Sequence, residues 1–164
     1  MSLVFLSLGS NLGDRLENLK SAVEKLRSRL SLVSCSSVWE TAPVDCPAGS
    51  SAFLNAVCSF ECGMEPLELL RFAKEIEKAL GRKEKTVLNE PRPMDVDILS
   101  FGNVELSSEE LTIPHPRMEE RLFVLAPLRE IQKKDFLFTE EYTSLSEKQK
   151  VSLFAPPFAI TTVL

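Results

Sequence analysis

The sequence predicts an α+β fold in which helices pack against one antiparallel sheet. Residues 52–62 alternate between two sets of side chains, as a strand with two different faces does. Two other segments, 12–30 and 67–80, carry apolar residues at three- and four-residue spacing, which is the pattern of an amphipathic helix. A chain of 164 residues that is 44% hydrophobic is long enough to bury the core of one such domain.

The first half of the chain predicts a strand, a helix and a second strand. In chain order the predicted elements are an apolar strand (3–8), a turn (9–14), the first helix, a second strand (32–39) and a proline-punctuated loop (41–51). Asp14 is the predicted N-cap of the helix, and Glu17 three residues later fits a capping box.

The second half completes the predicted fold. Its elements are a strand (52–62), a helix from Pro66 that Gly81 closes, a charged loop (82–94), a strand (95–101), short extended pieces (104–106 and 111–113) and a helix from about Met118. The core order is β-α-β-β-α-β, which is the ferredoxin-like arrangement. We expect residues 1–134 to form this domain and residues 135–164 to form a C-terminal extension.

Composition excludes several classes of function. The net charge of −5 and the pI near 5.1 argue against a protein that binds nucleic acid through bulk positive charge. No apolar run approaches the roughly 20 residues of a membrane span, and the first strand has no basic leader. Four cysteines without CxxC spacing and a single histidine make a zinc site improbable and favour free thiols. These features predict a cytoplasmic protein with no nucleic-acid or membrane partner.

Asp95 and Asp97 are the candidate metal ligands. On a strand, residues i and i+2 face the same side about 6.5–7 Å apart. Two carboxylates so placed repel each other, and a divalent cation removes that repulsion. Oxygen ligands favour Mg²⁺, which proteins hold through one or two carboxylates together with substrate phosphates. The alternative is that the two aspartates are a solvated strand end.

A basic cluster precedes the aspartate pair and indicates phosphate binding. Arg82, Lys83, Lys85 and Arg92 place four positive charges against two negative ones within residues 82–92. Arginines beside a magnesium site are typical of polyphosphate chemistry, because they neutralise developing charge. The alternative is an ordinary solvated loop.

Other polar residues are weaker candidates. His115, the only histidine, lies between two prolines that stiffen its backbone, so it is either a positioned phosphate donor or a structural histidine. Asn55 shares a strand face with Phe53, and its amide suits the edge of a flat heterocycle. Residues 9–13 follow a strand and precede a helix, but they lack the GK[ST] of a Walker A loop and predict a tight turn.

Several sequence blocks resemble one enzyme family over residues 3–131. They are LSLGSNLGDRLENL, SSVWETAP, FLNAV, IEKALGR, PRPMDVDIL followed by FGN, and IPHPRMEERLFVLAPLREI. The chain resembles the 6-hydroxymethyl-7,8-dihydropterin pyrophosphokinases of folate biosynthesis, and the P-R-x-x-D-x-D-I-L run is the most specific block. The resemblance implies transfer of pyrophosphate from ATP to the pterin hydroxymethyl group, with two Mg²⁺ ions.

The resemblance also implies a role for individual residues. Asp95 and Asp97 look like the Mg²⁺ ligands, and Arg82 and Arg92 look like phosphate-contacting arginines on a loop that closes over the substrates. Five residues are similar to family residues on the ATP side: Glu77, Ile98, Thr112, His115 and Arg121. Six look like the pterin pocket, where aromatic rings would sandwich the heterocycle: Thr41, Pro43, Val44, Phe53, Asn55 and Phe123.

The chain departs from the family pattern in the loop before Pro91. Asn89-Glu90 stands where the family usually has an aromatic-glycine pair, and Pro116 replaces an aromatic residue of some members. The loop departure keeps a second hypothesis open, a ferredoxin-like domain that binds pterin or nucleotide without turnover. An RNA-binding module is disfavoured, because it needs aromatic residues on a basic sheet.

The C-terminal residues 151–164 form a strand-like run that the resemblance does not cover. They predict either a docked edge strand or the opening strand of a second domain. Because some family members are fused to dihydropteroate synthase, we expect this chain to be the N-terminal part of such a fusion.

Overall fold

The computed structural model describes residues 1–42, 52–81 and 92–158. Its strands are β1 (Ser2–Ser10), β2 (Ser31–Cys35), β3 (Val38–Thr41), β4 (Phe53–Cys62), β5 (Asp95–Phe101), β6 (Leu106–Ser107), β7 (Thr112–Ile113) and β8 (Val151–Ala155). Its helices are α1 (Arg15–Arg27), α2 (Pro66–Ala79), α3 (Leu122–Gln132) and α4 (Thr139–Lys148), with 3₁₀ turns at Met118–Glu120 and Lys133–Asp135.

The ends of the predicted helices follow from local chemistry. The Asp14 carboxylate accepts a hydrogen bond from the Glu17 backbone N–H at 3.1 Å and so caps α1. Pro66 begins α2, where its missing N–H costs no helical hydrogen bond. Gly81 follows α2 with φ +100°, a conformation that favours glycine.

The sheet is antiparallel and is built around β4. Its strand order is β5-β1-β4-β3-β8, and β2 pairs with β4 beside β3. The register joins Leu6 to Cys58 on one side of β1 and Leu6 to Ile98 on the other. The α+β prediction is confirmed, and the elements β1-α1-β2/β3-β4-α2-β5 follow the predicted order.

Two predicted elements are interrupted in the structure. The second strand was expected to be continuous over 32–39, but it divides after Cys35 because the hydroxyl of Ser36 accepts the hydrogen bond of the Val57 N–H at 2.9 Å. The helix expected from about Met118 begins as a 3₁₀ turn. Arg121 is then extended (φ −121°, ψ 105°), and α3 begins only at Leu122.

The sheet has an apolar core on each face. Side chains of the strands pack with α1 and α2 in the larger core, whose members include Leu6, Leu8, Leu19, Leu26, Leu54, Phe60, Leu69, Ile76, Val96 and Ile98. A smaller core lies under α3, with Val57, Leu99, Met118, Val124, Leu125, Leu128 and Phe136. Since neighbouring residues of a strand point to opposite faces, β1, β4 and β5 divide their side chains between these two cores.

The C-terminal residues form part of the same sheet. Strand β8 pairs antiparallel with β3, joining Trp39 to Leu153 and Thr41 to Val151. The guanidinium of Arg15, whose Nη1 lies 2.9 Å from Glu40 Oε2 on β3, stands 5.5 Å from the ring centre of Phe154 on β8. Across the described ranges, no helix has the length and apolar character needed to cross a membrane.

Candidate active site

Three adjacent strands place Asp95, Gly9 and Asn55 in one row across the sheet. Gly9 of β1 is the register partner of Asp95 on β5 and of Asn55 on β4. In the next row Ser7 is the partner of Asp97. Directly opposite residues of antiparallel strands share a face, so both carboxylates and the amide of Asn55 point to the face that α3 covers.

Gly9 supplies the space between the aspartates and the amide. A Cβ atom on Gly9 would lie 3.0 Å from Asn55 Oδ1 and 3.7 Å from the ring of Phe53. A side chain at this position would therefore push against both residues. Because Gly9 has no side chain, only backbone atoms lie between Asp95 and Asn55 on this face of the sheet.

Arg92 connects the acidic part of the site to the aromatic part. Its Nε lies 2.6 Å from Asp95 Oδ2, although Nε is buried and makes no hydrogen bond of good geometry, so the contact is a charge pair. Its guanidinium stands 5.3 Å from the ring centre of Phe53. The backbone of Arg92 is fixed by Asn11, whose Oδ1 accepts from the Arg92 N–H at 2.8 Å and whose N–H donates to the Arg92 carbonyl at 3.1 Å.

The aspartate pair fits a magnesium ion. Asp95 and Asp97 offer oxygen ligands only, on one face, and both are partly accessible. Within the described residues there is no group of three or more His, Cys, Asp or Glu that would hold a metal without help. Mg²⁺ is the cation that proteins hold through one or two carboxylates while water and substrate phosphates fill the other positions. The donor set therefore suits a metal that arrives with a phosphate ligand.

Arg121 and His115 lie in the segment between β7 and α3. Burial and the charge of Arg117 lower the pKa of Arg121, while Asp97 and Asp95 raise it, so these carboxylates lie within electrostatic reach of the guanidinium. Burial, followed by the charges of Arg121 and Arg117, lowers the pKa of His115. His115 Nδ1 accepts from the Arg117 N–H at 3.1 Å, so the neutral ring carries its proton on Nε2 and can donate it to a ligand.

The predicted pterin residues cluster in part. Asn55 is buried, and its Nδ2 donates to Thr41 Oγ1 at 3.0 Å. Phe53 begins the same strand, and Phe123 packs against the smaller core at the start of α3, with the Arg121 guanidinium 5.6 Å from its ring centre. These side chains share the face that carries the aspartates. Pro43 and Val44 lie outside the described residues.

Two predicted ATP-side residues, Ile98 and Glu77, have side chains that are placed away from this face. Ile98 is only 4% exposed, and its side chain lies in the larger core on the opposite face of β5. Glu77 of α2 accepts the Val96 N–H at 2.8 Å through Oε2, so it braces the outer edge of β5. Thr112 lies in the β6–β7 hairpin. Arg82 lies outside the described residues.

Sequence reasoning missed the residues that hold the site together. Glu130 of α3 accepts hydrogen bonds from Trp39 Nε1 at 2.6 Å and from Ser37 Oγ at 2.8 Å, which ties β3 to α3. The sequence places Asn11 in a turn, whereas the structure shows that it fixes the backbone of Arg92. These contacts join residues more than 80 positions apart in the chain, and no local pattern announces them.

Carboxylates for a hard cation, cations for phosphate and an amide beside aromatic rings are the groups expected of an enzyme that transfers a phosphate group to a flat heterocycle. Residues 5–133 match the model of the 7,8-dihydro-6-hydroxymethylpterin-pyrophosphokinase family, and the chain belongs to this family. Its members use ATP to transfer a pyrophosphoryl group to hydroxymethyldihydropterin in folate biosynthesis. The family and the enzyme function predicted from the sequence are confirmed.

Individual relatives support the assignment. A 2-amino-4-hydroxy-6-hydroxymethyldihydropteridine pyrophosphokinase from Bacillus subtilis is 42% identical over 132 residues, which cover 79% of this chain and 78% of that protein. A folate synthesis bifunctional protein from Arabidopsis thaliana is 41% identical over 139 residues, which cover 84% of this chain and 28% of that protein. This chain thus spans most of the Bacillus relative and less than a third of the plant protein.

The fold is shared with solved structures of fused enzymes. One is a crystal structure of HPPK-DHPS from Plasmodium falciparum, a hydroxymethylpterin pyrophosphokinase (HPPK) fused to dihydropteroate synthase (DHPS). It superposes on this chain with a TM-score of 0.69 at 14% identity, over 90% of this chain and 46% of that one. A second HPPK-DHPS crystal structure, in complex with substrates, gives a TM-score of 0.68 and covers 89% of this chain. At this identity the likeness concerns the fold.

Proposed function

We propose that this chain carries out the reaction of its family on the face formed by Asp95, Gly9 and Asn55. The pterin hydroxyl oxygen attacks the β-phosphorus of ATP, a new P–O bond forms, and the bond from that phosphorus to the bridging oxygen of the α-phosphate breaks. The products are AMP and the pterin diphosphate, and the proton of the hydroxyl is released to water. The observation that carries the proposal is the single row that brings a carboxylate beside a buried amide across three strands.

The acidic end of the row is proposed to receive the phosphates. Two Mg²⁺ ions, held by Asp95 and Asp97 together with phosphate oxygens, would neutralise charge and orient the transferred group. Arg92 pairs with Asp95, and the same guanidinium is proposed to turn toward a phosphate oxygen of ATP. Arg121 and the Nε2–H of His115 would also bind ATP, and Arg82 and Thr112 are proposed contacts of the same substrate. Since the side chains of Glu77 and Ile98 lie away from this face, these two residues are proposed to act on ATP only through the outer edge and the backbone of β5.

The other end of the row is proposed to bind the pterin. Asn55 Nδ2 already donates to Thr41, so the amide is held at a fixed angle for reading the edge of the ring. Phe53 and Phe123 supply apolar faces for stacking, and Pro43 and Val44 are proposed to complete the pocket. Catalysis would then come from position and charge, and we assign no general base.

The proposal is tested by incubating the protein with ATP, Mg²⁺ and 6-hydroxymethyl-7,8-dihydropterin and measuring AMP. We expect AMP in proportion to the pterin consumed. Folded protein that binds pterin but releases no AMP would establish the binding domain without turnover and refute the proposal.

Substitution Asp97→Asn tests the metal role. It removes one ligand charge with little change of shape, and we expect kcat to fall by about a hundredfold or more, the scale of losing one electrostatic contact in a transition state. Asp135→Asn, at an exposed position outside the row, is the matched control and should keep full turnover. Near-normal turnover of Asp97→Asn at saturating Mg²⁺ would show that Asp97 is not a ligand.

We also propose a cytoplasmic location and a covalent fusion. Cys35, Cys58 and Cys62 are free thiols, which supports a reducing compartment.

The relatives named as bifunctional proteins support fusion to a second enzyme, dihydropteroate synthase. Mass spectrometry of the protein purified from its native source tests the fusion, which predicts a chain longer than 164 residues.

A further inference from the structure

Two cysteines face each other across the antiparallel pair of β2 and β4. Cys35 is the register partner of Cys58, and their Sγ atoms are 2.7 Å apart, with both thiols free. Directly opposite residues of an antiparallel pair have Cβ atoms about 4.5–5.5 Å apart, close to the roughly 3.5–4.5 Å that a disulfide spans. The backbone therefore already holds the two side chains close to bonding distance.

We propose that Cys35 and Cys58 are an oxidative modification site that closes into a cross-strand disulfide when the protein meets a small-molecule disulfide. Cys35 is half-buried and Cys58 is fully buried, so the oxidant reaches Cys35 first. The Cys35 thiolate attacks the small disulfide and releases one thiol. Cys58 then loses its proton, attacks Cys35 Sγ and releases the second thiol. Two protein thiols are oxidised while one small disulfide is reduced to two thiols.

The electrostatics agree with this order of attack. Burial, and then the hydrogen bond and charge interaction with Cys35, raise the pKa of Cys58 well above its ordinary value. The buried thiol is therefore a poor first nucleophile and acts as the resolving partner, once the mixed disulfide stands beside it.

The bridge would close a loop that contains part of the proposed pterin pocket. Residues 36–57 lie between the two cysteines and include Thr41, Phe53 and Asn55. A cross-link that closes a loop of this length restricts the unfolded chain and raises resistance to denaturant. The pocket face itself is opposite the bridge, because Cys58 points into the larger core.

The test is to treat the whole protein with oxidised glutathione and then to measure intact mass and map peptides. We expect a mass loss of two hydrogen atoms, a linked Cys35–Cys58 peptide, and unfolding at a higher urea concentration that dithiothreitol reverses. Cys62→Ser should still form the bridge, whereas Cys35→Ser should not. A stable glutathione adduct on Cys35, a bridge between other cysteines, or unchanged mass when iodoacetamide does label Cys35 would overturn the proposal.

Gln149 follows α4 and lies beyond the residues that the family model matches. Its Oε1 accepts the Leu122 N–H at 3.0 Å, and its Nε2 donates to the Glu120 carbonyl at 3.0 Å. The Gln149 N–H in turn donates to the Leu145 carbonyl at 2.7 Å, which fixes it at the end of α4. One side chain thus holds the backbone on both sides of Arg121.

We infer that Gln149 is a positioning residue for Arg121, an inference that rests on the proposed role of Arg121 in binding ATP. Arg121 is extended between the 3₁₀ turn and α3, and no side chain of its own region caps α3. Gln149 satisfies one of the N–H groups that a helix start leaves free. Without the Gln149 side chain, the backbone that directs Arg121 toward the Asp95–Asp97 face would lose its hydrogen bonds at Glu120 and Leu122.

A double-mutant cycle tests this inference. We expect Gln149→Leu to raise the KM for ATP about tenfold with a smaller change of kcat, and to add nothing in an Arg121→Ala background. Gln149→Glu, which keeps the acceptor for Leu122, should recover part of the loss, and Lys150→Ala, an exposed neighbour, should have no effect. Additive effects of the two changes, or an unchanged KM, would refute the positioning role alone. A wild-type chain that releases no AMP would instead refute the proposed function.

Discussion

At Gly9 the absence of a side chain determines what the neighbouring strand can present. Asn55 and Phe53 both lie against the space where a Cβ atom would stand, at 3.0 and 3.7 Å. A contact of 3.0 Å to a polar atom is shorter than a relaxed carbon contact, so an alanine would have to move the amide. Asn55 is buried and hydrogen-bonded to Thr41, so it has little freedom to yield.

Gly9→Ala is therefore expected to weaken pterin binding. We expect the KM for the pterin to rise about tenfold, an energy of about 1.4 kcal/mol, with the KM for ATP less affected. Gly63→Ala is the matched control, because a Cβ atom there meets nothing within 4 Å. Steady-state kinetics with each substrate varied in turn provide the measurement. Equal rises in both KM values would argue that Gly9 shapes the sheet and not the pterin end of the row.

His115 links the site to pH. Its pKa in the folded protein is lowered, chiefly by burial, so the unfolded chain binds more protons once the pH falls below about 6.5. The stability that depends on a neutral His115 is thus fully present above that pH and is lost on acidification toward the lower folded pKa.

His115→Gln should flatten this part of the pH profile. We expect the free energy of unfolding of the wild-type protein to decrease more than that of the variant between about pH 7 and pH 5.5, because this is the only histidine in the sequence. Urea titrations at both pH values provide the comparison. Parallel profiles for the two proteins would mean that His115 does not titrate differently in the folded state.

Single residues show where sequence reasoning works and where it ends. The strand alternation predicts that Asp95 and Asp97 share a face, and the structure agrees. The same period places Ile98 on the opposite face, in the core, so its side chain does not join the aspartates. Asn11 and Gln149 could not be predicted, because each acts on a segment distant in sequence.

At the scale of elements, α3 is fastened to β3 by one carboxylate. Glu130 accepts from the indole N–H of Trp39 and from the hydroxyl of Ser37 on the strand side. Trp39 is in turn the register partner of Asn55. The contact between α3 and the sheet thus reaches the proposed pterin end of the site through two neighbouring residues.

Glu130→Gln should loosen this connection. A neutral amide replaces a charged acceptor, and hydrogen bonds to charged groups contribute about 1.5–3 kcal/mol each, so we expect the free energy of unfolding to fall by about 1–3 kcal/mol. Urea unfolding followed by the fluorescence of Trp39, the only tryptophan, reports the change. Glu105→Gln, at an exposed position, is the control and should stay within about 0.5 kcal/mol of the wild type. A similar loss in both variants would assign the effect to charge alone.

The interruptions of elements were beyond sequence patterns. Residues 32–39 have the composition of one strand, and nothing local shows that the Ser36 hydroxyl would take a ladder hydrogen bond from Val57. The break at Arg121 has the same character, because the Gln149 side chain that supports it comes from beyond α4. Helix caps at Asp14 and Gly81, which depend only on neighbours, were predicted.

At the scale of the whole molecule, the C-terminal extension and the predicted domain share one sheet and one core. Strand β8 pairs with β3, and Phe136, beyond the boundary predicted at residue 134, is buried in the smaller core. The side chain of Gln149 supports α3. A division at residue 134 would cut through all three contacts.

A chain ending at residue 134 is therefore expected to be less stable than the full chain. It loses buried apolar surface at Phe136, the edge strand and the Gln149 hydrogen bonds, which together should lower the free energy of unfolding by about 3 kcal/mol or more. Urea unfolding of both chains by circular dichroism makes the comparison, with a chain ending at residue 158 as control. Coincident unfolding curves for the chain ending at 134 and the full chain would show that the extension adds nothing.

The alternation of β5 has a consequence for tolerance to change. Asp95 and Asp97 face the proposed site, whereas Val96 and Ile98 face the larger core. Neighbouring positions of this strand therefore contribute alternately to the proposed chemistry and to the stability of the fold. A saturation scan along this strand would show two kinds of damage in turn, loss of activity in folded protein at one position and loss of folded protein at the next. An inserted or deleted residue would exchange the two sets, so the length of this strand is under the same constraint as its chemistry.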